Sequence, residues 1–429
     1  MAKARFTLLV GLAVLAALAG FAFIRNLIDF PVYYAAGQSL LGGRTDLYAP
    51  DFALGRVMDY RYPPFFLLAF FPLWLLPYKV AAYLWYLSNV LEISLCVFFI
   101  RSIAPIPKAQ RKMWVVVFFL VASYFVIALH YGNAHLLAVA LMFAAFYFAF
   151  RNKPLLAGLL LALSISIKLT PAFAVPYFAL KREWRLLAWT AVLLIVINLT
   201  PALYFGFEKN NSLLKEWFGH VVVSQEFHEA NGPINLSLKG ELRRSFTEVD
   251  YAQRVDGDVR YPAINILSLP SSQVDTAWIT ASALLCLAMF GLIAFVEQEM
   301  GNNRSGEVFS LEVALLICAM LFVGPLTSKI YFIALLWPVA ALAAYAFSRT
   351  TRQAMRVRRL LIVLALINSV LPLLPGRSLQ RWLLVLGVDF YVNLLLLLAV
   401  AYALWSMARP APTQFDEPQR SSRSTARTS

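Results

Sequence analysis

Long apolar runs separated by short polar connections repeat along the whole chain. Runs of bilayer-crossing length, which takes roughly 20 residues or slightly fewer, lie at 6–24, 80–100, 114–129, 136–150, 186–204, 278–296, 308–322, 332–347, 360–374 and 383–405. Two stretches break the rhythm. Residues 63–77 are apolar but short and contain Pro72, which predicts a short or re-entrant helix. Residues 155–180 are too short for two full crossings, and Lys168-Leu169-Thr170-Pro171 interrupts them near the middle, where a hairpin is expected to turn. Backbone broken at membrane depth is tolerated only where it is buried in protein or lines a cavity. Both irregularities therefore point to one internal, water-filled site in the N-terminal half.

Composition agrees with the pattern. The 429 residues are 61% hydrophobic and 14% charged, and mean hydropathy is +0.69. No soluble domain of this length hides so much apolar surface, so lipid is the expected solvent. The expected fold class is all-α, polytopic, with about 11–13 transmembrane or re-entrant helices. The net charge of +14 does not indicate nucleic acid, because the Lys and Arg cluster in short connections and at the C-terminus. Arg101, Lys108, Arg111 and Lys112 form one basic connection, Lys181, Arg182 and Arg185 another, and residues 349–359 a third. All three are expected in the cytoplasm, together with Lys3 and Arg5. The segments 25–62 and 206–275 and the His130–His135 turn then face outward, in a plasma (inner) membrane. Residues 6–24 read as a retained anchor, because no small-x-small cleavage site follows before Arg25. One domain is expected over 1–408, with 409–429 a disordered cytoplasmic tail rich in Ser, Thr, Arg and Pro. Cys96, Cys286 and Cys318 all lie in apolar runs and read as packing residues.

Candidate chemistry is sparse, and so informative. Asp29 stands just past the first apolar run, where a carboxylate is costly unless it is used. Its alternative role is helix capping ahead of Phe30-Pro31. Lys168 interrupts an apolar segment, and its charge needs a partner: an anionic ligand, or Glu92 in the neighbouring apolar run. No Gly-rich phosphate loop is present. Asp256-Gly257-Asp258 has the letters of a metal-holding pair, but its polar surroundings read as a turn.

The stretch Asp29-Phe30, Tyr33-Tyr34-Ala35-Ala36, Gly43, Leu47-Tyr48, Tyr60-Arg61-Tyr62-Pro63-Pro64, Pro72 and Leu76-Pro77 resembles glycosyltransferase family 87, polyprenyl-phosphate-mannose-dependent enzymes of the GT-C class. Looser resemblances follow at Gly132-Asn133-Ala134-His135, Ile167-Lys168-Leu169-Thr170-Pro171 and Asn235-Leu236-Ser237-Leu238. The chain departs from the family pattern at Asn133 and His135 (for Gln and Asn), at Leu236 (for Gln), and at Lys329 and Tyr331.

The resemblance implies inverting transfer of a hexose, mannose in the family, from a polyprenyl-phosphate sugar to an extracytoplasmic glycan or glycolipid acceptor. Such transfer needs a base for the acceptor hydroxyl and donors for the departing phosphate. It implies Asp29 as the base; from the residues themselves, Lys168, which interrupts an apolar segment, is the first phosphate-binding candidate, with Arg61 and Lys329 behind it. The expected pocket comprises Tyr33, Tyr34, Tyr62, Asn133, His135, His228, Asn235 and Tyr331. No cofactor and no metal ligand set is expected, and whether a divalent metal is required stays open. The alternatives are a polytopic lipid or solute transporter and a non-catalytic relative.

Overall fold

The computed structural model describes residues 16, 18–49, 52–53, 59–104, 111–223, 234–248, 261–301 and 305–409. The protein is an all-α polytopic membrane protein, 80% helical and without strands among the described residues. Its helices are α1 (Phe30–Leu41), α2 (Pro64–Ala69), α3 (Phe71–Trp74), α4 (Tyr78–Ile103), α5 (Arg111–Tyr131), α6 (His135–Phe150), α7 (Pro154–Ile167), α8 (Ala174–Leu180) and α9 (Trp184–Leu199). There follow α10 (Ala202–Phe205), α11 (Phe207–Trp217), α12 (Leu238–Phe246), α13 (Ser271–Met300), α14 (Gly306–Val323), α15 (Leu336–Ser348), α16 (Arg352–Val370), α17 (Arg377–Val385) and α18 (Val388–Ala408).

Among the described residues, seven helices are long and apolar enough to cross a membrane: Tyr78–Ile103, Arg111–Tyr131, Trp184–Phe205, Ser271–Met300, Gly306–Val323, Lys329–Ser348 and Val388–Ala408. The last-but-one includes a 3-10 turn, Lys329–Leu335, that leads into α15. The expected crossing at 136–150 is α6, somewhat shorter than a full span. The first half of the first expected run, residues 6–15, and residue 17 fall outside the described residues, as do the Asp256-Gly257-Asp258 turn and the tail from residue 410.

The two irregular stretches take the shapes their prolines dictate. Residues 63–77 form the short helices α2 and α3, with Pro72 in the first turn of α3, where its missing N–H costs least. Residues 155–180 split into α7, an extended Lys168, a 3-10 turn over Thr170–Phe173 and α8. Pro171 forbids the α conformation for the residue before it only weakly, but it removes an N–H from the ladder, and the helix ends at Ile167.

The C-terminal region departs from the sequence expectation. A single crossing over 383–405 is expected, whereas α17 ends at Val385 and α18 begins at Val388. Gly387 joins them in the left-handed region (φ 66°), and an added Cβ there would collide with the Glu241 carboxylate. Likewise the run at 360–374 is the latter part of α16, whose first turns carry Arg352, Arg356, Arg358 and Arg359.

The core sits on α14 and α15, the most enclosed of the spanning helices. Between lipid-exposed helices there is little hydrophobic drive, so contact depends on close packing of small side chains. The sequence provides them: Ala340, Ala341, Ala343, Ala344 and Ala346 are all buried on α15, and Ala138, Ala144 and Ala145 on α6. At one end of the bundle, Lys181 bridges Glu297 of α13 (2.9 Å) and Glu312 of α14 (2.8 Å), and Arg349 pairs with Glu307. The opposite end is formed by the C-termini of α5 and α7 and the N-termini of α6 and α18, where the candidate residues gather.

Candidate functional site

Asp29 is the N-cap residue of α1, yet its side chain makes no capping hydrogen bond. The carboxylate instead accepts the amide of Asn133, with Nδ2 at 2.5 Å from Oδ2. Its backbone N–H donates to the carbonyl of Tyr131 at 2.9 Å, so the segment before α1 is stitched to the turn between α5 and α6. That turn needs its glycine. Gly132 lies at φ 60°, and a Cβ would stand 3.0 Å from Leu27, while its carbonyl accepts the indole N–H of Trp85 at 2.7 Å. Asp29 is 6% exposed and so is largely withdrawn from solvent.

A polar chain extends from this pair. Tyr62 donates to Asn133 Oδ1 at 3.4 Å, and the Tyr62 and Tyr33 hydroxyls meet at 2.8 Å. Tyr33 in turn accepts the N–H of Ala134 at 3.3 Å. Burial raises the phenol of Tyr33 well above its ordinary value, with Tyr62 and Asp29 adding to the effect. Burial first and the Asp29 carboxylate second raise the phenol of Tyr62 too. Both hydroxyls therefore stay protonated and able to donate. Tyr34, by contrast, turns away. Its hydroxyl donates to Leu76 at 2.7 Å and its ring packs edge-on against Tyr78.

The break at Lys168 faces the same region. Lys168 Nζ stands 3.9 Å from the centroid of the Tyr331 ring, and His135 stacks on that ring at 4.4 Å. Tyr331 thus carries both contacts on one ring. His135 is 2% exposed, and neither ring nitrogen makes a hydrogen bond of good geometry; its polar backbone neighbour is at Tyr331. Glu92 is buried on α4 with its Oε2 making no hydrogen bond, and among the described residues no ion pair joins it to Lys168.

The remaining expected residues are placed differently. Lys329 pairs with Asp389 of α18 at 3.3 Å, and Asp389 also accepts the hydroxyl of Tyr124 at 2.9 Å. The pair borders a cavity of about 210 Å³, lined also by Asn368, Gln380 and Leu384. Arg61 is half-buried, and its carbonyl accepts the indole of Trp217 on α11 at 3.2 Å. Asn235 is buried and its amide ties two loops together. Nδ2 donates to Pro325 at 2.9 Å, and Oδ1 accepts Ser237 and Thr327, each at 3.1 Å. His228 lies outside the described residues. The structure thus gathers Asp29, Tyr33, Tyr62, Asn133, His135, Lys168 and Tyr331, and sets Tyr34, Lys329 and Asn235 in other contacts.

The sequence reading passed over Asp389 and Arg244. Asp389-Phe390 repeats at the head of α18 the Asp-Phe pattern of Asp29-Phe30, a signal available in the letters. Arg244 is buried, pairs with Glu241 at 2.5 Å and donates to the carbonyl of Asn235. Only its companion Glu three residues before hinted at that. Among the described residues, no three His, Cys, Asp or Glu side chains converge as a metal-binding group.

A family model, glycosyltransferase family 87, matches residues 60–322 of the chain. No curated protein and no solved structure matches it.

Proposed function

From the premise that the chain belongs to glycosyltransferase family 87, we propose that it moves a hexose, mannose in the first instance, from a polyprenyl-phosphate donor to a glycan or glycolipid acceptor outside the cytoplasm. The domain is a GT-C-like bundle over 1–408 in the plasma (inner) membrane. The observation that carries the reading is Asp29: a largely buried carboxylate, withheld from its cap and held by Asn133, at the bundle end where Lys168 interrupts the membrane segment.

The reaction is a single displacement. The acceptor hydroxyl oxygen forms a bond to the anomeric carbon while the bond from that carbon to the phosphate oxygen breaks. The electron pair leaves with the polyprenyl phosphate, and the hydroxyl proton passes to Asp29. Attack opposite the leaving group inverts the anomeric configuration. Positive charge near the departing phosphate lowers the barrier because negative charge grows there in the transition state. Lys168 supplies that charge from its place on the Tyr331 ring. Lys329, already neutralised by Asp389, is a weaker phosphate ligand than Lys168.

The test pairs two measurements. Purified protein in nanodiscs is offered a panel of polyprenyl-phosphate hexoses with acceptor-containing membrane extract, and a deletion strain is profiled by mass spectrometry of envelope glycans and lipids. Transfer from one donor, matched by loss of the same hexose in the strain, supports the reading. A protein that consumes no lipid-phosphate sugar refutes it.

A further inference from the structure

We propose that Asn133 is a positioning residue: its side-chain amide sets the orientation of the Asp29 carboxylate for proton transfer. The proposal rests on the reading of Asp29 as base.

The amide has one possible orientation. Asn133 Oδ1 accepts the backbone N–H of His135 at 2.6 Å. A backbone N–H only donates, so that end of the amide is the oxygen. The NH2 end is then turned to Asp29 Oδ2. The turn carrying Asn133 is fixed on both flanks, by Trp85 on the Gly132 carbonyl and by Tyr33 on the Ala134 N–H. Asp29 is thus gripped twice by one turn, at its backbone through Tyr131 and at its carboxylate through Asn133. This explains why an Asp at the N-cap of α1 leaves its capping role unfilled. Among the described residues, titratable groups facing Asp29 include Tyr33 on α1 and Tyr62 ahead of α2, with His135 on α6 and Lys168 after α7 beyond Asn133. Asn133 stands where the family resemblance has Gln, so the amide chemistry is retained on a shorter arm.

The experiment uses the full chain in nanodiscs with the donor panel above, and the variants Asp29→Asn, Asn133→Leu, Asn133→Gln, Asn133→Asp and Asp29→Asn/Asn133→Leu. Asn133→Leu is expected to lower kcat on the order of 10-fold or more while donor KM moves less than about twofold, the mark of an interaction that matters in the transition state. Asn133→Gln is expected to recover part of the loss. Asn133→Asp keeps the size but sets a second carboxylate against Asp29, and the acidic limb of the pH profile is expected to move up by about one pH unit or more. The double variant is expected to be no slower than Asp29→Asn alone, because both changes act through one group.

Wild-type kcat in Asn133→Leu, or a further loss in the double variant, overturns the proposal. Should Asn133→Leu fail to fold, Asn133→Asp decides, and an unmoved pH profile there is equally fatal. The failure of the base reading looks different: Asp29→Asn then keeps its turnover, or the wild type uses no donor, and this proposal falls with it.

Discussion

The ammonium of Lys168 rests on the ring of Tyr331, 3.9 Å from its centroid, and His135 stacks on the same ring at 4.4 Å. A cation–π contact of this kind contributes about 0.5–2 kcal/mol, more as water is excluded. It holds the charge without neutralising it, as a carboxylate partner would. On the proposed reading, the Tyr331 ring positions Lys168 for the donor phosphate without an acidic partner of its own among the described residues.

Replacing Lys168 with Met tests this. Losing one charge-assisted hydrogen bond costs roughly 1.5–3 kcal/mol, so donor affinity should fall on the order of 10–150-fold with the fold intact. Lys168→Arg should recover part, because a planar fork is not equivalent to a point charge. Glu92→Gln serves as the control. Glu92 Oε2 is buried without a hydrogen-bond partner, so the change should leave donor affinity alone and stability equal or higher. Unchanged donor binding in Lys168→Met removes the phosphate role.

Asp29→Asn keeps the size of the side chain and removes the base. Expression and thermal stability should stay near wild type, while turnover falls on the order of 100-fold or more, the scale of positioned general-base catalysis. A purified variant with wild-type turnover would mean that another group takes the proton.

The tyrosines give a pH prediction. Burial raises the phenol groups of Tyr33 and Tyr62, so the hydroxyls stay neutral through the ordinary tyrosine range. A group whose proton is held more tightly in the folded state supports stability below its unfolded value near 10 and loses that support only above it. Neither residue should therefore shape the alkaline limb of the activity profile up to about pH 10. Tyr62→Phe should lower stability by about 1 kcal/mol through its lost hydrogen bonds and leave that limb in place. An alkaline limb that shifts in Tyr62→Phe contradicts the assignment.

Lys329 and Lys168 should behave oppositely. Lys329→Met strands the buried Asp389 beside Tyr124 alone, which should cost on the order of 2 kcal/mol, less than a fully buried pair because Lys329 is partly exposed. Adding Asp389→Asn should return much of that stability. Thermal melts in nanodiscs read both effects, and donor affinity should change little in either variant. A selective loss of donor binding in Lys329→Met would move Lys329 into the phosphate site.

Reporters active only in the cytoplasm should give signal when fused after Arg185 or Arg359 and none when fused between residues 210 and 217. The reverse pattern would put Asp29 on the cytoplasmic side.

Much of this was legible in the letters because its causes are local. Hydropathy over some 20 residues marks a span, and Pro72 and the Lys168-Leu169-Thr170-Pro171 break interrupt helices through missing donors and restricted angles. Asp29 was legible for a related reason, since charge is costly beside lipid wherever the chain goes afterwards. What stayed hidden depends on partners far away in sequence. Glu92 stood as the alternative partner of Lys168 to an anionic ligand, but Lys168 meets Tyr331, 163 residues on (331 minus 168). Lys329 beside Asp389, and the amide of Asn235 joining Pro325, Ser237 and Thr327, are contacts between distant parts of the chain that the letters do not display. The residues facing the family's own pattern most directly, Asn133 and His135, acquired meaning only from distances.

Gly387 lies well past the stretch matched by the family model, yet it touches the enzyme's working parts through a short mechanical chain. A side chain at Gly387 would push Glu241 and Arg244, Arg244 holds the carbonyl of Asn235, and the amide of Asn235 anchors the loop at Pro325 and Thr327 that runs on to Lys329 and Tyr331. Asp29 lies outside the matched stretch on its other side. The matched segment is thus the middle of an arch rather than a detachable module: cut free of its two abutments, it would lose Asp29 at one and, at the other, Tyr331, the aromatic ring that carries Lys168.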